Sequence, residues 1–379
     1  MTDQDPSSEF RPLTLEELDA LPDVPASAEI PAEIAEEFGQ QRVYISGVEE
    51  EPTGGGRLRP IEDGAGEWEL RLPSGADIGR PGRDAMLHEA SEQELEKLPS
   101  TDAFRPAWIP LTYQPRLVNE FKLPPCLRSV DGYPVQPLFV FPPDDRQVYR
   151  PDTYPWNCTG RLFVWENYDP NSGPDSYGSA ALVGPRHVLT AKHVCPAPTA
   201  TNWKMLFIPA YYDGTSVAGP GARSFASHFV YLGGTGAAHD VAVLRLADPL
   251  GTQLGWMDIF DYFAFSGQWG PGSGLFLKTA YPADVAMGLR PSKQDNIQLD
   301  SAPANGTSLE FRHKGDVAGG TSGAPLWNWF ENPPGVRTPK VEGVTSGAFA
   351  NTQTGEQYNV DAGGWPLQSI VAFARSFWP

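Results

Sequence analysis

Residues 319–325 hold the side chain that is best placed to do chemistry. Ser322 has a glycine two positions before it and another directly after it, a pattern that is typical of a tight turn. On such a turn the serine hydroxyl is exposed as a nucleophile, and neighbouring backbone N–H groups are free to bind negative charge on a substrate oxygen. Ordinary surface turns use the same residue types. The segment therefore predicts catalysis only together with a base and an acid.

A histidine and an aspartate that could complete such a site lie upstream. His193 follows the apolar run 181–190, which reads as strand, turn and short strand, with His187 in the turn. Asp240 precedes residues 241–246, whose alternation predicts another strand. Histidine takes the proton of a serine hydroxyl, and aspartate orients the histidine and stabilises its charged form. No third ligand lies at a usual spacing from the two histidines, so we expect no metal site.

The sequence around these three residues resembles the catalytic blocks of the chymotrypsin-like (trypsin fold) serine peptidases. The Gly-Gly-x-Ser-Gly-x-Pro form is most similar to the bacterial and fungal V8-like, glutamyl-endopeptidase-type branch, as is the acidic stretch from Asp144 to Thr153. The resemblance covers about residues 139–379. Its blocks are 189–193 (Leu-Thr-Ala-Lys-His), 240–244 (Asp-Val-Ala-Val-Leu) and 320–325 (Gly-Thr-Ser-Gly-Ala-Pro).

The resemblance implies an all-β fold of two antiparallel six-stranded barrels, with the catalytic residues at their junction. The 39 prolines and 39 glycines agree with this, because they favour short strands and many turns. Residues 366–377 repeat apolar side chains at helical spacing and predict a closing C-terminal helix.

The activity implied is that of a serine endopeptidase that hydrolyses peptide bonds through an acyl-enzyme, with no metal or cofactor. Ser322 would attack, His193 would transfer the proton, Asp240 would orient His193, and the N–H groups of Gly320 and Ser322 would form the oxyanion hole. The alternative is a catalytically silent relative that uses its cleft to bind peptides or proteins. The presence of all three catalytic residue types favours the enzyme.

Five further positions correspond, by the same resemblance, to substrate-binding residues. Asp316 stands where an acid gives trypsins their preference for arginine and lysine, but it could equally be a structural turn acid. Glutamyl endopeptidases have histidine at the place of Thr345, which argues against a preference for acidic residues, and His313 is a remote substitute. The preferred side chain therefore stays open. The five residues are Asp316, Val317, Thr345, Ser346 and Gly347.

The first third of the chain, residues 1–139, differs in composition from the peptidase-like residues 140–379. It has 27 acidic and 12 basic residues and so carries most of the net charge of −19. Capping signals predict short helices starting near Thr14, Pro31 and Ser91. Three interpretations stay open: a propeptide removed near Phe139, a partly disordered acidic tail, or a retained segment that binds a partner. Thr321 replaces the aspartate that trypsins use for zymogen activation, so that mechanism is not expected.

Charge and hydropathy limit the partners. An acidic chain is repelled by nucleic acid and anionic membranes, and no run of eighteen apolar residues is present. We expect a monomer that binds a peptide or protein substrate. Residues 1–6 lack the start of a secretory signal, whereas the family resemblance suggests export, so the location is unknown.

Three cysteines, Cys126, Cys158 and Cys195, allow at most one internal disulfide. Animal members of the family pair the cysteine beside the catalytic histidine with one just upstream, where this chain has Gly178 and Ser179. Cys158 with Cys195 is the favoured bridge in an oxidising compartment, and free buried thiols are expected in a reducing one.

Overall fold

The computed structural model describes residues 12–39, 102–119, 139–169, 172–197, 199–200, 202–260, 276–305, 308–331, 333–350 and 355–378, and the backbone of six short strands between residues 44 and 135. The helices are α1 (Leu15–Asp19), α2 (Ala32–Gly39), α3 (Leu250–Leu254) and α4 (Trp365–Phe377). The strands are β1 (Tyr44–Gly47), β2 (Arg57–Pro60), β3 (Trp68–Leu72), β4 (Leu87–Ala90), β5 (Arg116–Leu117), β6 (Arg128–Val130), β7 (Tyr133–Val135), β8 (Gln147–Arg150), β9 (Thr159–Trp165), β10 (Ser176–Leu182), β11 (His187–Thr190), β12 (Lys204–Pro209), β13 (Tyr211–Tyr212), β14 (Thr215–Ser216), β15 (Ser224–Leu232), β16 (Ala242–Leu246), β17 (Asp258–Ile259), β18 (Phe276–Ala280), β19 (Ser292–Ile297), β20 (Leu299–Ser301), β21 (Ala304–Asn305), β22 (Ser308–His313), β23 (Pro325–Glu331), β24 (Arg337–Ala350) and β25 (Gln357–Gly364).

The first half of the peptidase-like region is a closed six-stranded barrel. Its strands follow the order β12, β9, β10, β11, β16, β15, all antiparallel, and β15 pairs back with β12. Val243 and Leu244 of β16 are both fully buried although neighbouring strand residues point to opposite faces, so β16 is covered on the inside and the outside of the barrel. Closure gives each of these strands a partner on both sides, which removes the exposed edges of an open sheet.

The second half is one large sheet of eleven strands. Its central order is β22, β25, β24, β23, β18, β19, and β8 and β5 continue it beyond β19. Phe276, Phe311 and Leu326 belong to a separate core cluster in this half. In the described residues no ladder joins β19 to β22, so only the first half closes by strand pairing. The predicted all-β, chymotrypsin-like fold is confirmed.

The predicted C-terminal helix is also confirmed. α4 packs on β15 and β16 of the first barrel and buries Leu367, Ile370 and Val371 completely. His187 was expected in a turn, and this was wrong. It is the buried first residue of β11. Its ring Nε2 makes a 3.0 Å hydrogen bond with the carbonyl oxygen of Trp378 just after α4, which satisfies this nitrogen in the protein interior. Burial lowers the pKa of His187 to about 4, so the ring is neutral at pH 7.

Residues 12–39 of the acidic first third pack on the barrels. The predicted capping box is present: the Thr14 hydroxyl accepts the N–H of Glu17, and the Glu17 carboxylate accepts the N–H of Thr14. Just before it, the N–H of Leu13 donates to the Trp329 carbonyl oxygen on β23 at 2.8 Å. Leu13 and Leu18 are buried in the same hydrophobic cluster as Trp329. This part of the chain therefore shares the peptidase core.

Residues 102–119 make similar contacts with the connection between the two halves. Phe104 and Trp256 exchange backbone hydrogen bonds of 3.0 and 2.9 Å, and their rings lie 4.6 Å apart. The indole N–H of Trp108 donates to the carbonyl oxygen of Gln253 at 3.0 Å. The same Gln253 donates its side-chain amide to Glu37 in α2 at 2.7 Å. Parts of the first third thus contact both halves and the segment that joins them.

The helix starts predicted near Thr14 and Pro31 are confirmed by α1 and α2, whereas the helix predicted from Ser91 lies outside the described residues. Strands in the first third were not predicted. β1, β3 and β2 form a three-stranded sheet, and β4 adds to the first barrel by pairing in parallel with β15. Among the helices of the described regions, none is long and apolar enough to cross a membrane.

The packing of the first third predicts a matched pair of mutational effects. Leu18 is 2% exposed and Ile30 is 44% exposed, although both are aliphatic residues of the same segment. In the full-length protein, Leu18→Ala should lower the free energy of unfolding by about 2–5 kcal/mol because it leaves a cavity, and Ile30→Ala should change it by less than about 0.5 kcal/mol. Urea denaturation measures both. Two neutral variants would show that the segment does not share the core.

Candidate active site

His193 and Asp240 lie side by side at the ends of two paired strands. A single 3-10 turn, Lys192–Val194, carries His193 after β11, and Asp240 follows the 3-10 turn Ala237–His239 just before β16. β11 and β16 are hydrogen-bonded neighbours, so these turns meet at one end of the barrel. Nδ1 of His193 is 2.6 Å from Oδ2 of Asp240, and the backbone N–H of His193 donates to Oδ1 at 2.8 Å. The carboxylate thus fixes the ring and leaves Nε2 available on its other side.

A serine on the second half supports the same carboxylate. The hydroxyl of Ser346 donates to Oδ2 of Asp240 at 2.6 Å. Burial raises the pKa of Asp240, but the hydrogen bonds and charge of His193 and the hydrogen bond from Ser346 outweigh it, and the net pKa is lower than usual. Asp240 is therefore charged at neutral pH. Its side chain is 13% exposed and that of His193 is 44% exposed, so only the imidazole is open to a substrate.

The turn that contains Ser322 lies against the first barrel close to His193. The carbonyl oxygen of Ser322 accepts the N–H of Ser179 on β10 at 2.8 Å. Gly323 has φ +82°, and a Cβ there would lie 2.1 Å from the Thr190 hydroxyl oxygen at the end of β11, so only glycine fits. In the part of the chain that the structure describes, no hydrogen bond joins the Ser322 hydroxyl to the His193 ring. The structure brings the backbone of Ser322 to the strand that precedes His193, but it does not make that side-chain contact.

The backbone of this turn points its carbonyl groups into the protein. Two N–H groups, those of Gly320 and Ser322, have no acceptor among the described residues. Since N–H and C=O point in opposite directions across a trans peptide, fixing the carbonyls of Gly319 and Thr321 also directs these N–H groups. The arrangement could bind an anion or an oxyanion. The four carbonyl oxygens accept as follows: Gly319 from Ala283 N–H, Gly320 from the Ser179 hydroxyl, Thr321 from Ala324 N–H, and Ser322 from Ser179 N–H.

Asp316 and Val317 bind the segment that enters the peptidase-like region. The N–H of Phe141 donates to Oδ1 of Asp316 at 2.7 Å, and Gln294 donates to Oδ2 at 3.2 Å. The N–H of Val317 donates to the carbonyl oxygen of Phe139 at 3.0 Å. Asp316 is 2% exposed, and burial raises its pKa to about 6 against the opposing effects of the Phe141 N–H and Arg146.

Thr345, Ser346 and Gly347 lie on β24 beside the Ser322 turn. Thr345 accepts the N–H of Gly323 at 2.8 Å and donates its own N–H to Ala324 at 2.9 Å. The pairing of β24 with β25 shifts register between Thr345 and Gly347, which makes Ser346 the extra residue of a bulge. Bulges redirect a side chain, and here the redirected side chain is the one that reaches Asp240.

His313 belongs to a buried charged cluster that the sequence did not predict. Nζ of Lys278 is 2.8 Å from Oδ1 of Asp361 and 3.2 Å from Nε2 of His313, and all three side chains are at most 2% exposed. Burial opposes the charge of Asp361, but Lys278 and His313 lower its pKa to about 2. The three residues come from β18, β22 and β25. No local pattern could reveal this cluster, because its residues lie on three separate strands that come together only in the folded protein.

The Cys158–Cys195 bridge that was favoured for an oxidising compartment is not formed: both thiols are free and buried, as in the alternative expectation. Cys158 ends the turn Trp156–Cys158, with its Sγ 3.7 Å from Oδ1 of Asn157. The Sγ of Cys195 is 3.8 Å from the carbonyl oxygen of Ala191. The two thiols lie in different surroundings, and burial raises the pKa of each. Cys126 lies outside the described residues.

A cleft of about 640 Å³ opens beside His193 and Asp240. Phe229 and Tyr231 line it with aromatic surface, and Lys192 and Glu166 contribute charged groups. Nζ of Lys192 donates to the carbonyl oxygen of Leu232 at 3.2 Å, while Glu166 accepts the N–H of Ala197 at 3.0 Å. The imidazole therefore faces a space large enough for a peptide side chain.

Comparison with known proteins gives only distant similarities. No protein-family model matches the chain, and no curated protein sequence does. Similar solved structures include a Glu endopeptidase in complex with MPD, at 17% identity over 63% of this chain and 100% of that chain, with a TM-score of 0.45. Protease Anisep from Arthrobacter nicotinovorans is 16% identical over 61% of this chain and 99% of its own, with a TM-score of 0.43.

A thermostable serine protease, AL20, from an extremophilic microorganism is 18% identical over 58% of this chain and 97% of its own, with a TM-score of 0.40. Similarities this distant add no argument about activity or substrate. The closed barrel and the C-terminal helix carry the assignment of a chymotrypsin-like fold.

The raised pKa of Asp316 predicts a pH dependence of stability. A carboxyl whose pKa is raised to about 6 binds its proton more tightly in the folded state than in the unfolded one. Its burial therefore destabilises the protein increasingly as the pH rises from about 4 through 6, and least below 4. Asp316→Asn should gain on the order of 1–3 kcal/mol relative to wild type between pH 4 and pH 7, measured by urea denaturation at each pH.

The exposed Asp23 provides a control for that experiment. Asp23→Asn should change the free energy of unfolding by less than about 0.5 kcal/mol, because the Asp23 side chain is exposed. Parallel stability curves for Asp316→Asn and wild type would contradict the assignment of a pKa of about 6.

Proposed function

We propose that this protein is a serine endopeptidase that cuts peptide bonds through an acyl-enzyme. The observation that carries the proposal is the His193–Asp240 pair, with 2.6 Å between Nδ1 and Oδ2, at the barrel end where the Ser322 turn packs. A charged, half-buried carboxylate that holds an exposed imidazole is the arrangement needed to activate a hydroxyl nucleophile. The N–H groups of Gly320 and Ser322, which have no acceptor among the described residues, support the same reaction, because they can stabilise the negative charge of its intermediate.

In the proposed mechanism the Ser322 hydroxyl attacks the scissile carbonyl carbon while Nε2 of His193 takes its proton. The oxygen of the tetrahedral intermediate carries the negative charge and binds the N–H groups of Gly320 and Ser322. The imidazolium, stabilised by Asp240, then gives its proton to the leaving amine, and an acyl-enzyme forms. Water attacks the ester with the same histidine as base, which releases the acid product and restores Ser322.

The contact that the proposal adds is the hydrogen bond between the Ser322 hydroxyl and His193. Catalytic hydrogen bonds of free enzymes are often long and tighten only when substrate binds, so their absence in a free enzyme does not exclude the mechanism. The same absence favours a second candidate, a silent relative that binds peptides in its cleft. The two candidates differ in whether Ser322 reacts.

The substrate is proposed to be an extended peptide that pairs with β24. In the described part, β23 ends at Pro325 opposite Val344, and the backbone of Thr345 binds Gly323 and Ala324, so β24 has no pairing partner on this side from Ser346 onward. An extended chain can hydrogen-bond to such an edge. We propose that Asp316 anchors residues 139–141 instead of selecting the substrate side chain, because its oxygens already bind Phe141 and Gln294.

The first third is proposed to remain with the peptidase as part of its fold. Leu18 and Phe38, each 2% exposed, lie in the same cluster as the barrel core. Removing them would expose apolar surface on both halves, which costs folding free energy in proportion to the area. This supports a retained segment over a removable propeptide. Mass spectrometry of the purified natural protein would show which chain is present.

Active-site labelling tests the proposed activity. A fluorescent fluorophosphonate should label the wild-type full chain and should not label Ser322→Ala. Asp240→Asn should label about 10⁴-fold more slowly, because the histidine loses the carboxylate that fixes its proton. Gel fluorescence measures the labelling, and Ser172→Ala, which changes an exposed serine, is the control that should label like wild type.

A folded wild-type protein that takes up no label, and that produces no digest of a denatured substrate protein, would overturn the proposal. Peptide binding by that unlabelled protein, measured by calorimetry with peptides from the substrate protein, would then support the silent binder.

A further inference from the structure

A single buried residue, Ser179 on β10, connects three parts of the candidate site through its hydroxyl and its backbone N–H. Its hydroxyl donates to the carbonyl oxygen of Gly320 at 2.8 Å and accepts the N–H of Tyr281 at 2.9 Å. Its own N–H donates to the carbonyl oxygen of Ser322 at 2.8 Å. Ser179 is 0% exposed, whereas its partners Gly320 and Ser322 are half-buried. One residue of the first barrel therefore holds the backbone on both sides of Thr321.

The hydroxyl both donates and accepts a hydrogen bond in this position. A serine hydroxyl has one donor and accepts through its lone pairs, and here it donates to Gly320 and accepts from Tyr281. The carbonyl oxygen of Ser179 in turn accepts the Thr190 hydroxyl at 3.0 Å, which ties Ser179 to the strand that precedes His193. The position of the Ser322 turn is thus set relative to His193 through a chain of buried hydrogen bonds.

The turn needs this support because its backbone is held in an uncommon conformation. Gly320 has φ +90°, and a Cβ there would lie 2.5 Å from the carbonyl oxygen of Tyr281 and 2.7 Å from the ring of Tyr177. If the hydroxyl were removed, the Gly320 carbonyl would lose its donor, and the peptide between Gly320 and Thr321 would keep only the hydrogen bond from the Thr321 N–H to the Ala318 carbonyl oxygen at 3.0 Å. That would also leave the N–H of Tyr281 buried and unpaired. This peptide lies between the two peptides that carry the N–H groups of Gly320 and Ser322, so a displacement of it would move both N–H groups away from a common oxygen.

We propose that Ser179 is a positioning residue that orients the N–H groups of Gly320 and Ser322 for the transition state. The inference rests on the proposed peptidase function, and it assigns to Ser179 no contact with substrate. A residue with this role acts on the charged intermediate and not on the bound substrate, because the substrate carbonyl is neutral. Its loss therefore lowers kcat and leaves KM nearly unchanged.

The test compares Ser179→Ala with wild type in the full chain, with a peptide substrate identified from the digest. We expect kcat to fall about 10- to 100-fold, somewhat less than the loss of an entire oxyanion donor, with KM within about twofold. A peptide aldehyde of the same sequence forms a tetrahedral adduct with the active serine, so its affinity should fall by the same factor as kcat/KM. The corresponding peptide amide should bind as tightly as before.

Two further comparisons separate positioning from general destabilisation. Thr159→Val removes a different buried hydroxyl, which is 2.8 Å from the Thr279 hydroxyl, and should lower stability without lowering kcat. Ser179→Thr and Ser179→Val have nearly the same shape, and only the first keeps the hydroxyl. Ser179→Thr should have at least about tenfold higher kcat than Ser179→Val. This pair keeps the inference testable if Ser179→Ala does not fold.

The outcomes distinguish this inference from the function on which it rests. An unlabelled, inactive wild-type protein overturns the proposed function. An active wild type with a folded Ser179→Ala variant of unchanged kcat, or with equal kcat for the threonine and valine variants, overturns the role of Ser179 alone. A parallel loss of kcat and aldehyde affinity, with unchanged affinity for the amide, supports it.

Discussion

The hydrogen-bonded pair of His193 and Asp240 is the contact on which the candidate site depends. It exists because β11 and β16 are neighbours in a closed barrel, so the turns at their ends cannot separate without breaking strand pairing. Burying a carboxylate is costly unless hydrogen bonds satisfy it, and Asp240 receives them from the His193 ring, the His193 backbone and Ser346. The barrel therefore supplies rigidity, and the second half supplies the last donor.

The two halves are joined by hydrogen bonds that cross their junction in both directions. The Ser322 turn belongs to the second half, yet its carbonyl groups bind Ser179 on the first barrel. Ser346 crosses the junction in the other direction to reach Asp240. Each contact is short and at least partly buried, so a shift of one half relative to the other would break several at once. This explains how residues about 130 positions apart are held in register without a disulfide among the described cysteines.

The acidic first third has two physical characters. Most of its described acidic side chains lie at the surface, whereas Leu13, Leu18 and Phe38 enter the core. Phe104 and Trp256 fasten it to the connection between the halves. A segment with these contacts links the two halves and the connection between them. The lower stability expected without it follows from the loss of apolar burial and not from charge.

The sequence by itself indicated the all-β fold through the family resemblance of three short motifs, and it determined the C-terminal helix and the capping box at Thr14 because both depend on local residue types and spacing. It also indicated His193, Asp240 and the Ser322 turn, whose motifs are short and contiguous. Tertiary structure decided the features that join distant strands: the Ser179 hydrogen bonds, the Lys278–Asp361–His313 cluster and the burial of His187. It also decided against the Cys158–Cys195 bridge, since pairing depends on where two thiols lie in space. Spatial neighbours drawn from separate strands leave no mark on local spacing, and for that reason only the assembled sheets could show them.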